Sequence, residues 1–568
     1  MDGQEARQWG ITRAISNAQP TEADLKLNDA LVEALKRENN FETAEGTEKR
    51  KKVLAHLQKV TEEFVRRVCK MKKLPPSTVE SAGGKVFTFG SYALGVNGPS
   101  SDIDTLVVAP KHVFRDDFFD HFPPTFREMS AVADITELNP VREAFVPIIK
   151  MEYRGVSIDL LFASLPSLSR VGSDLELTDL QLLRGLDDIA MRSVNGTRVT
   201  KELLDNVPQP KAFRHALRAV KLWSNQRAIY GAVFGFPGGI AWAIMVARIC
   251  QLYPFACGAT ILAKFFGLML KWQWPRPIML KDVEPGSLNL KVWNPQLYGA
   301  DRAHIMPVLT PAYPSMCSTH TVMPSTMRIM MAELDRAAGI LDQIQAGTKS
   351  WKDLFQRHTF FTHDHKYYLS VVATAYSKEA HEIWSGLVQS KVRLLVKGID
   401  DGAAGVELAR PYVKAFERVH RCANEEQIDE VKQGNVKYQI KEDEVPAAGA
   451  KASNGDAPKI IYTTTFYIGL TLPEAGTKSL DISYPVSEFK RYIAMSESYR
   501  EEDMFVRIVH TRNHQLPDDV FLAGETKPTK SVKEKKKKAS GSRSAKRQFA
   551  ETGLEVRNTR LTKSPRAS

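Results

Sequence analysis

The chain has 568 residues, 43% of them hydrophobic and 25% charged, with a formal net charge of +12. This is ordinary globular composition at a length that suggests two to four domains, and five scattered cysteines (Cys69, Cys250, Cys257, Cys317, Cys422) without Cys-x-x-Cys spacing argue against a disulfide framework or a structural zinc and for a reducing compartment. Nine lysines, five arginines and three glutamates fall in residues 527–568, a net +11, so the rest of the chain carries +1 and any polyanion-binding surface on it must be a local patch.

Met1 to Gly10 is polar and does not read as a signal peptide. Residues 1–18 read as an extended arm. Thr21-Glu22-Ala23-Asp24 has the form of a capping box and predicts a helix to about Glu38, with Leu31 and Leu35 on its apolar side. A second helix is expected from about Glu48 to Met71, carrying Val53, Leu57, Val60, Phe64 and Val68, with Pro75-Pro76 as its stop.

The stretch from Val86 to Ala109 carries the chemistry. A short apolar strand breaks at Gly90-Ser91, and a glycine-containing spacer leads to Asp102-Ile103-Asp104 and an apolar strand. Residues i and i+2 of a strand share a face, so Asp102 and Asp104 point the same way. Two ionised carboxylates that close repel unless a cation sits between them, and hard divalent cations take such ligands together with phosphate oxygens. The backbone around Gly90-Ser91 can approach a phosphate closely. A capped turn with two solvated aspartates is the bland reading; the combination favours phosphoryl or nucleotidyl transfer.

Residues 111–140 read as a helix and a connection. Val146 to Phe162 reads as a hairpin turning at Arg154-Gly155, which places Lys150 opposite Asp159. The pair is either a plain ion pair, or Asp159 is a third metal ligand in the same sheet. Residues 175–194 look helical, and Asn195-Gly196-Thr197 has turn composition, either a loop or a substrate contact. Residues 211–228 form a strong amphipathic helix with Arg214, Arg218 and Lys221 on one face, either solvated or cradling a polyphosphate. Gly238-Gly239 before the next helix suits an anion or simple punctuation. The helix candidate Ile240 to Tyr253 contains Arg248 and is too short to span a bilayer.

From residue 366 the pattern changes to strand, helix, strand, strand, helix, strand, the layout of a ferredoxin-like sandwich. Tyr462, Phe466 and Tyr467 are candidates for base stacking or for packing. Residues 424–458 read as a mobile insertion. The tail, with basic clusters at 533–538 and 546–547, fits a nuclear-import signal or a nucleic-acid arm.

Phe89-Gly90-Ser91, the ten-residue spacer and Asp102-Ile103-Asp104 resemble the signature of the DNA polymerase beta nucleotidyltransferase superfamily. The longer stretch Gly-Ser-Tyr-Ala-Leu-Gly-Val-Asn-Gly-Pro-Ser-Ser-Asp-Ile-Asp-Thr-Leu, with residues 144–150, 195–199, 234–239 and 310–316, resembles the nuclear poly(A) polymerases of eukaryotes, most of all the fungal form. The resemblance implies an α+β multidomain chain. Its parts are an arm over 1–18 docking on the middle domain, a nucleotidyltransferase catalytic domain with a mixed sheet over 19–207, and an all-helical middle domain over 208–356. A ferredoxin-like RNA-binding domain over 357–526 and a disordered basic tail over 527–568 complete it. The implied activity is template-independent addition of AMP from ATP to the 3′ end of cleaved pre-mRNA with two Mg²⁺ or Mn²⁺ ions, in the nucleus. No membrane is involved, and the chain is a monomer outside a cleavage and polyadenylation factor complex. Asp102, Asp104 and Asp159 match metal ligands. Phe89, Gly90, Ser91, Lys221, Tyr230, Gly239 and Ile240 match ATP contacts, Phe145 and Lys150 groups near the base and primer end, and Asn195 an RNA contact. Ala232 stands where the family usually has asparagine near adenine. Two competing functions are a terminal transferase preferring UTP or CTP and an inactive RNA-binding scaffold, which would typically lack one of the three carboxylates.

Overall fold

In the computed structural model residues 7–142, 146–286, 288–402, 405–445, 458–473 and 481–530 are described. The catalytic sheet is built from β1 (Lys85–Thr88), β2 (Ile103–Pro110), β3 (Ile135–Val141), β4 (Ile148–Tyr153) and β5 (Val156–Leu165), in the order β1-β2-β5-β4-β3. Only β2 and β5 run parallel, so the sheet is mixed, as expected. β3 falls in the stretch read as a connection; its sequence Ile-Thr-Glu-Leu-Asn-Pro-Val has no sustained alternation, and pairing with β4 makes it a strand.

Alternation along β2 and β5 gives the sheet two different faces. Ile103, Val107, Ile158, Leu160 and Phe162 meet Val53, Leu57, Phe64, Phe118 and Phe122 from helices Ala44–Met71 and Arg115–Met129. Leu106, Val108, Ala163 and Leu165 meet Met191 and Val194 from helix Asp188–Asp205 on the other side. Asp104 and Asp159 have the parity of this second face.

The first helix, Glu22–Arg37, starts with the expected capping box of Thr21 and Asp24. It packs against the middle domain: Leu31 and Leu35 join that core, and Asn28 Oδ1 accepts from the Ala259 N–H at 3.3 Å. The arm docks there too, with the Ile15 N–H on the Leu252 carbonyl at 2.8 Å and Gln251 Nε2 on the Trp9 carbonyl at 3.1 Å. The middle domain is helical, built on Pro210–Gln226, Gly239–Leu252, Gly258–Lys271 and Pro324–Gln345. Among the described residues no helix is long and apolar enough to cross a membrane.

The C-terminal sheet comprises β6 (Tyr367–Ala375), β7 (Leu408–Pro411), β8 (Phe416–Cys422), β9 (Gln439–Ile440), β10 (Lys459–Thr471) and β11 (Met504–Arg512). Its order is β11-β6-β10-β8-β9, all antiparallel, with β7 also on β10. Helices Lys378–Asp401 and Ser483–Ala494 cover one face, which is the ferredoxin-like arrangement. The second strand, expected over residues 405–414, is only the four-residue β7, and β8, which pairs with β10 beyond it, was not expected from the sequence. The span read as a mobile insertion begins with a folded helix, Glu425–Lys432, capped by Asn424 and anchored by buried Ile428 and Val431; residues 446–457 lie outside the described residues. Phe466 and Tyr467 are 1% and 2% exposed, and half-buried Tyr462 lies beside His381, so packing, not base stacking, is their role. Most of the tail, 531–568, lies outside the described residues.

Candidate active site

Asp104 and Asp159 are register partners across the parallel pair of β2 and β5. Asp102 precedes β2 with the same parity. One ligand oxygen from each of the three lies within 4.8 Å of the others. Asp102 is exposed and the other two are half-buried. Burial, then the charges of Asp102 and Asp159, push the Asp104 carboxyl up to about 7. Burial and Asp102 raise Asp159 as well, against the Lys150 ammonium. Three crowded oxygen donors with too much negative charge are a site for hard divalent cations.

The expected hairpin register is observed, with Lys150 opposite Asp159 and a turn in which Arg154 and Gly155 both have positive φ. Lys150 itself is exposed and pairs on its other side with Asn139. Glu137, on β3, adds a further negative field at Asp159. Sequence reading missed it because β3 was not recognised.

A second wall stands beside the carboxylates. Phe89 donates its N–H to the Asp104 carbonyl at 3.1 Å, and Gly90, at φ +61°, opens the short helix Gly90–Ala93 that contains Ser91. From the middle domain, helix Pro210–Gln226 brings Lys221 to the same place. Burial and Arg218 push its ammonium below its ordinary pKa, and Asp102 and Asp104 act the other way. Burial, then Asp104 and Asp102, push the Tyr230 phenol up to about 12. Its hydroxyl stands where a Cβ on Gly239 would be 2.6 Å away, at the N-terminus of helix Gly239–Leu252, with half-buried Ile240 next. Of the three cations expected on one helix face, Lys221 is the one among the described residues for which no hydrogen bond or ion pair to the protein is seen. Arg218 donates to the carbonyls of Asn97 and Gly95, and Arg214 donates from Nε to that of Leu94.

Asn195, Gly196 and Thr197 are not a turn. They lie inside helix Asp188–Asp205, capped by Asp187. Turn composition is a local preference that packing overrides here: a Cβ on Gly196 would be 2.8 Å from the Phe89 ring, so the glycine makes room for that ring. Among the described residues, no hydrogen-bond partner is found for the buried Asn195 Oδ1. Phe145 lies outside the described residues.

Three family models tile the sequence. They are the poly(A) polymerase nucleotidyltransferase domain over residues 10–207, the poly(A) polymerase central domain over 212–357, and the poly(A) polymerase predicted RNA binding domain over 359–530. The chain belongs to the poly(A) polymerase family. Poly(A) polymerase PAPalpha of Candida albicans is 47% identical over 537 residues, covering 93% of this chain and 95% of that protein. Poly(A) polymerase pla1 of Schizosaccharomyces pombe is 47% identical over 548 residues, covering 93% and 96%. A solved structure of Cid1, described as an RNA terminal uridylyl transferase, covers 59% of this chain and 99% of its own at 15% identity and a TM-score of 0.40. As a poly(A) polymerase the chain is a polynucleotide adenylyltransferase, extending RNA 3′ ends with AMP without a template.

Proposed function

We propose that this transfer runs by two-cation chemistry at Asp102, Asp104 and Asp159, with ATP as donor and the 3′ end of cleaved pre-mRNA as acceptor. The observation that supports it most is the convergence of the three carboxylates within 4.8 Å. Their all-oxygen donor set suits Mg²⁺ or Mn²⁺. Two such ions, when bound, supply a lowered pKa at the RNA 3′-hydroxyl and offset the charge that develops on the transferred phosphate and the leaving pyrophosphate.

The chain's own groups have separate tasks in this reading. The Ser91 N–H meets the triphosphate, where the glycine before it lets a phosphate come close, while the Gly90 N–H is directed at Thr200 Oγ1, 3.4 Å away. Lys221 and Tyr230 hold the β,γ-phosphates, and the Phe89 ring, Gly239 and Ile240 line the nucleotide's path. Lys150 and Phe145 stand for the base and primer end. The unpartnered Asn195 Oδ1 offers an acceptor to an RNA hydroxyl. No side-chain base is placed at the reacting hydroxyl in this reading; ions held by the three carboxylates would lower its pKa, and water would take the proton. Nuclear residence, docking on a cleavage and polyadenylation factor complex and a monomeric state outside it follow from the resemblance and belong to the same proposal.

The test is Asp159→Ala. The variant should fold, bind fewer Mn²⁺ ions in a spin-resonance titration and lose incorporation by several orders of magnitude. Wild-type incorporation in a folded variant would remove the third ligand and with it this mechanism. Competition among the four nucleotides on an unstructured primer tests adenine preference with Ala232 in place; preferential uptake of UTP or CTP would overturn the choice of ATP.

A further inference from the structure

The spacer between Ser91 and Asp102 is held by three guanidinium groups, all on backbone carbonyls. Arg214 Nε donates to the Leu94 carbonyl at 3.0 Å. Arg218 donates to the carbonyls of Asn97 at 2.9 Å and Gly95 at 3.1 Å, and to that of Asn40. Arg50, from the catalytic domain, donates to the Pro99 carbonyl at 3.0 Å.

Arg218 differs from Arg50 in one respect. Arg50 is neutralised by Glu42, 2.7 Å from its Nε. Arg218 is 6% exposed, and among the described residues no carboxylate pairs with it; its other neighbour is the Phe41 ring, 4.6 Å from the guanidinium carbon. A buried charge on carbonyls alone is a costly way to fasten a loop. Burial, then Arg214, lower its pKa to about 10, so it remains charged at neutral pH. It also sits three residues before Lys221 on the same helix, one turn away, and its field reaches that ammonium.

We infer that Arg218 is a positioning residue for the transfer. It fixes the segment that carries Ser91 and Asp102 against the helix that carries Lys221, so that both walls meet one triphosphate, and the anionic triphosphate supplies the counter-charge that the protein withholds. The inference rests on Lys221 being a phosphate contact.

The experiment is a double-mutant cycle of Arg218→Lys with Lys221→Ala, measuring ATP and oligo(A) primer kinetics at a fixed active-site concentration. Lysine keeps the charge but cannot serve diverging carbonyls with a planar fork. Arg218→Lys should lower kcat/KM for ATP on the order of tenfold to a hundredfold, the size expected for misplaced reactants, and leave KM for the primer unchanged. In the Lys221→Ala background it should add almost nothing, because it acts through Lys221. Wild-type ATP kinetics in Arg218→Lys, full additivity with Lys221→Ala, or equal losses on ATP and primer would each overturn the inference. Unchanged ATP kinetics in Lys221→Ala alone would overturn the phosphate-contact reading first, and this one with it. Should Arg218→Lys fail to fold, Arg214→Lys replaces it, with the same pattern expected at smaller size and the same outcomes overturning it.

Discussion

A Cβ on Gly90 would stand 2.0 Å from Oδ2 of Asp104. The left-handed backbone at φ +61° and the carboxylate beside it both require a glycine. Gly90→Ala should therefore fold, with backbone strain of about 1 kcal/mol, yet lose AMP incorporation by ~100-fold or more, because the Asp104 carboxylate must move away. Gly98→Ala is the control: its φ is ordinary and the nearest atom to the added methyl is 3.8 Å away. It should keep wild-type activity.

The raised Asp104 predicts how the metal-free enzyme responds to pH. Its folded value of about 7 lies above the ordinary carboxylate value of 3.8, so between these the folded state holds more protons than the unfolded one. Stability contributed by protonated Asp104 is therefore greatest below about pH 4, falls as pH rises towards 7, and is flat above that. Asp104→Asn should flatten this slope and raise the melting temperature of metal-free protein at pH 8, while abolishing activity. Melting curves in a chelator across pH 5 to 8 check it. Wild-type protein, in contrast, should gain stability on addition of Mg²⁺ or Mn²⁺ at pH 8.

Gly196 gives a prediction in which stability and activity move in opposite directions. It sits inside a helix, where alanine is favoured over glycine by about 0.5–1 kcal/mol. The new methyl would press to 2.8 Å from the Phe89 ring. Gly196→Ala should keep or raise the melting temperature while raising KM for ATP, and paired melting and steady-state assays report both.

Away from the site, Glu333 and Arg227 form a buried two-pronged pair, with both bonds at 2.8 Å. Arg227 also donates to the carbonyls of Gln356 and Arg357, between the middle and C-terminal domains. Burial works to raise the Glu333 carboxyl, but Arg227 and Arg336 hold it below its ordinary value. The pair's contribution is present at neutral pH and is lost as pH falls through that lowered value. Glu333→Ala, which leaves Arg227 buried and uncompensated, should cost about 3–5 kcal/mol at pH 7, with a smaller difference in acid. Denaturant titrations at pH 7 and pH 4 measure it.

How much of this could be read from residues alone varied with how local the cause was. The register of Lys150 on Asp159 was legible because a two-residue turn leaves one pairing. The Thr21 capping box and the Asp102/Asp104 face were legible for the same reason: a few neighbouring residues fix them. Asn195-Gly196-Thr197 misled because its glycine answers to a ring over a hundred positions earlier in the chain, not to a local bend. The strand Ile135–Val141 was hidden because only its partner makes it a strand. The three-cation face of helix Pro210–Gln226 was visible, but which cations were spent on carbonyls depended on a loop brought there by folding. The expectation of a mobile insertion failed for the helix Glu425–Lys432 because two apolar side chains, Ile428 and Val431, were outweighed by acidic neighbours in the composition.

The fastening of the Ser91–Asp102 spacer has a consequence for how this region tolerates change. Arginines that grip main-chain oxygens are indifferent to which side chains the gripped residues carry. At solvent-facing positions such as Ser100 the spacer is therefore free to vary in spelling, whereas removing or adding a single residue would shift every carbonyl out of reach and carry Asp102 away from its two companions. What the fold constrains in this loop is its span.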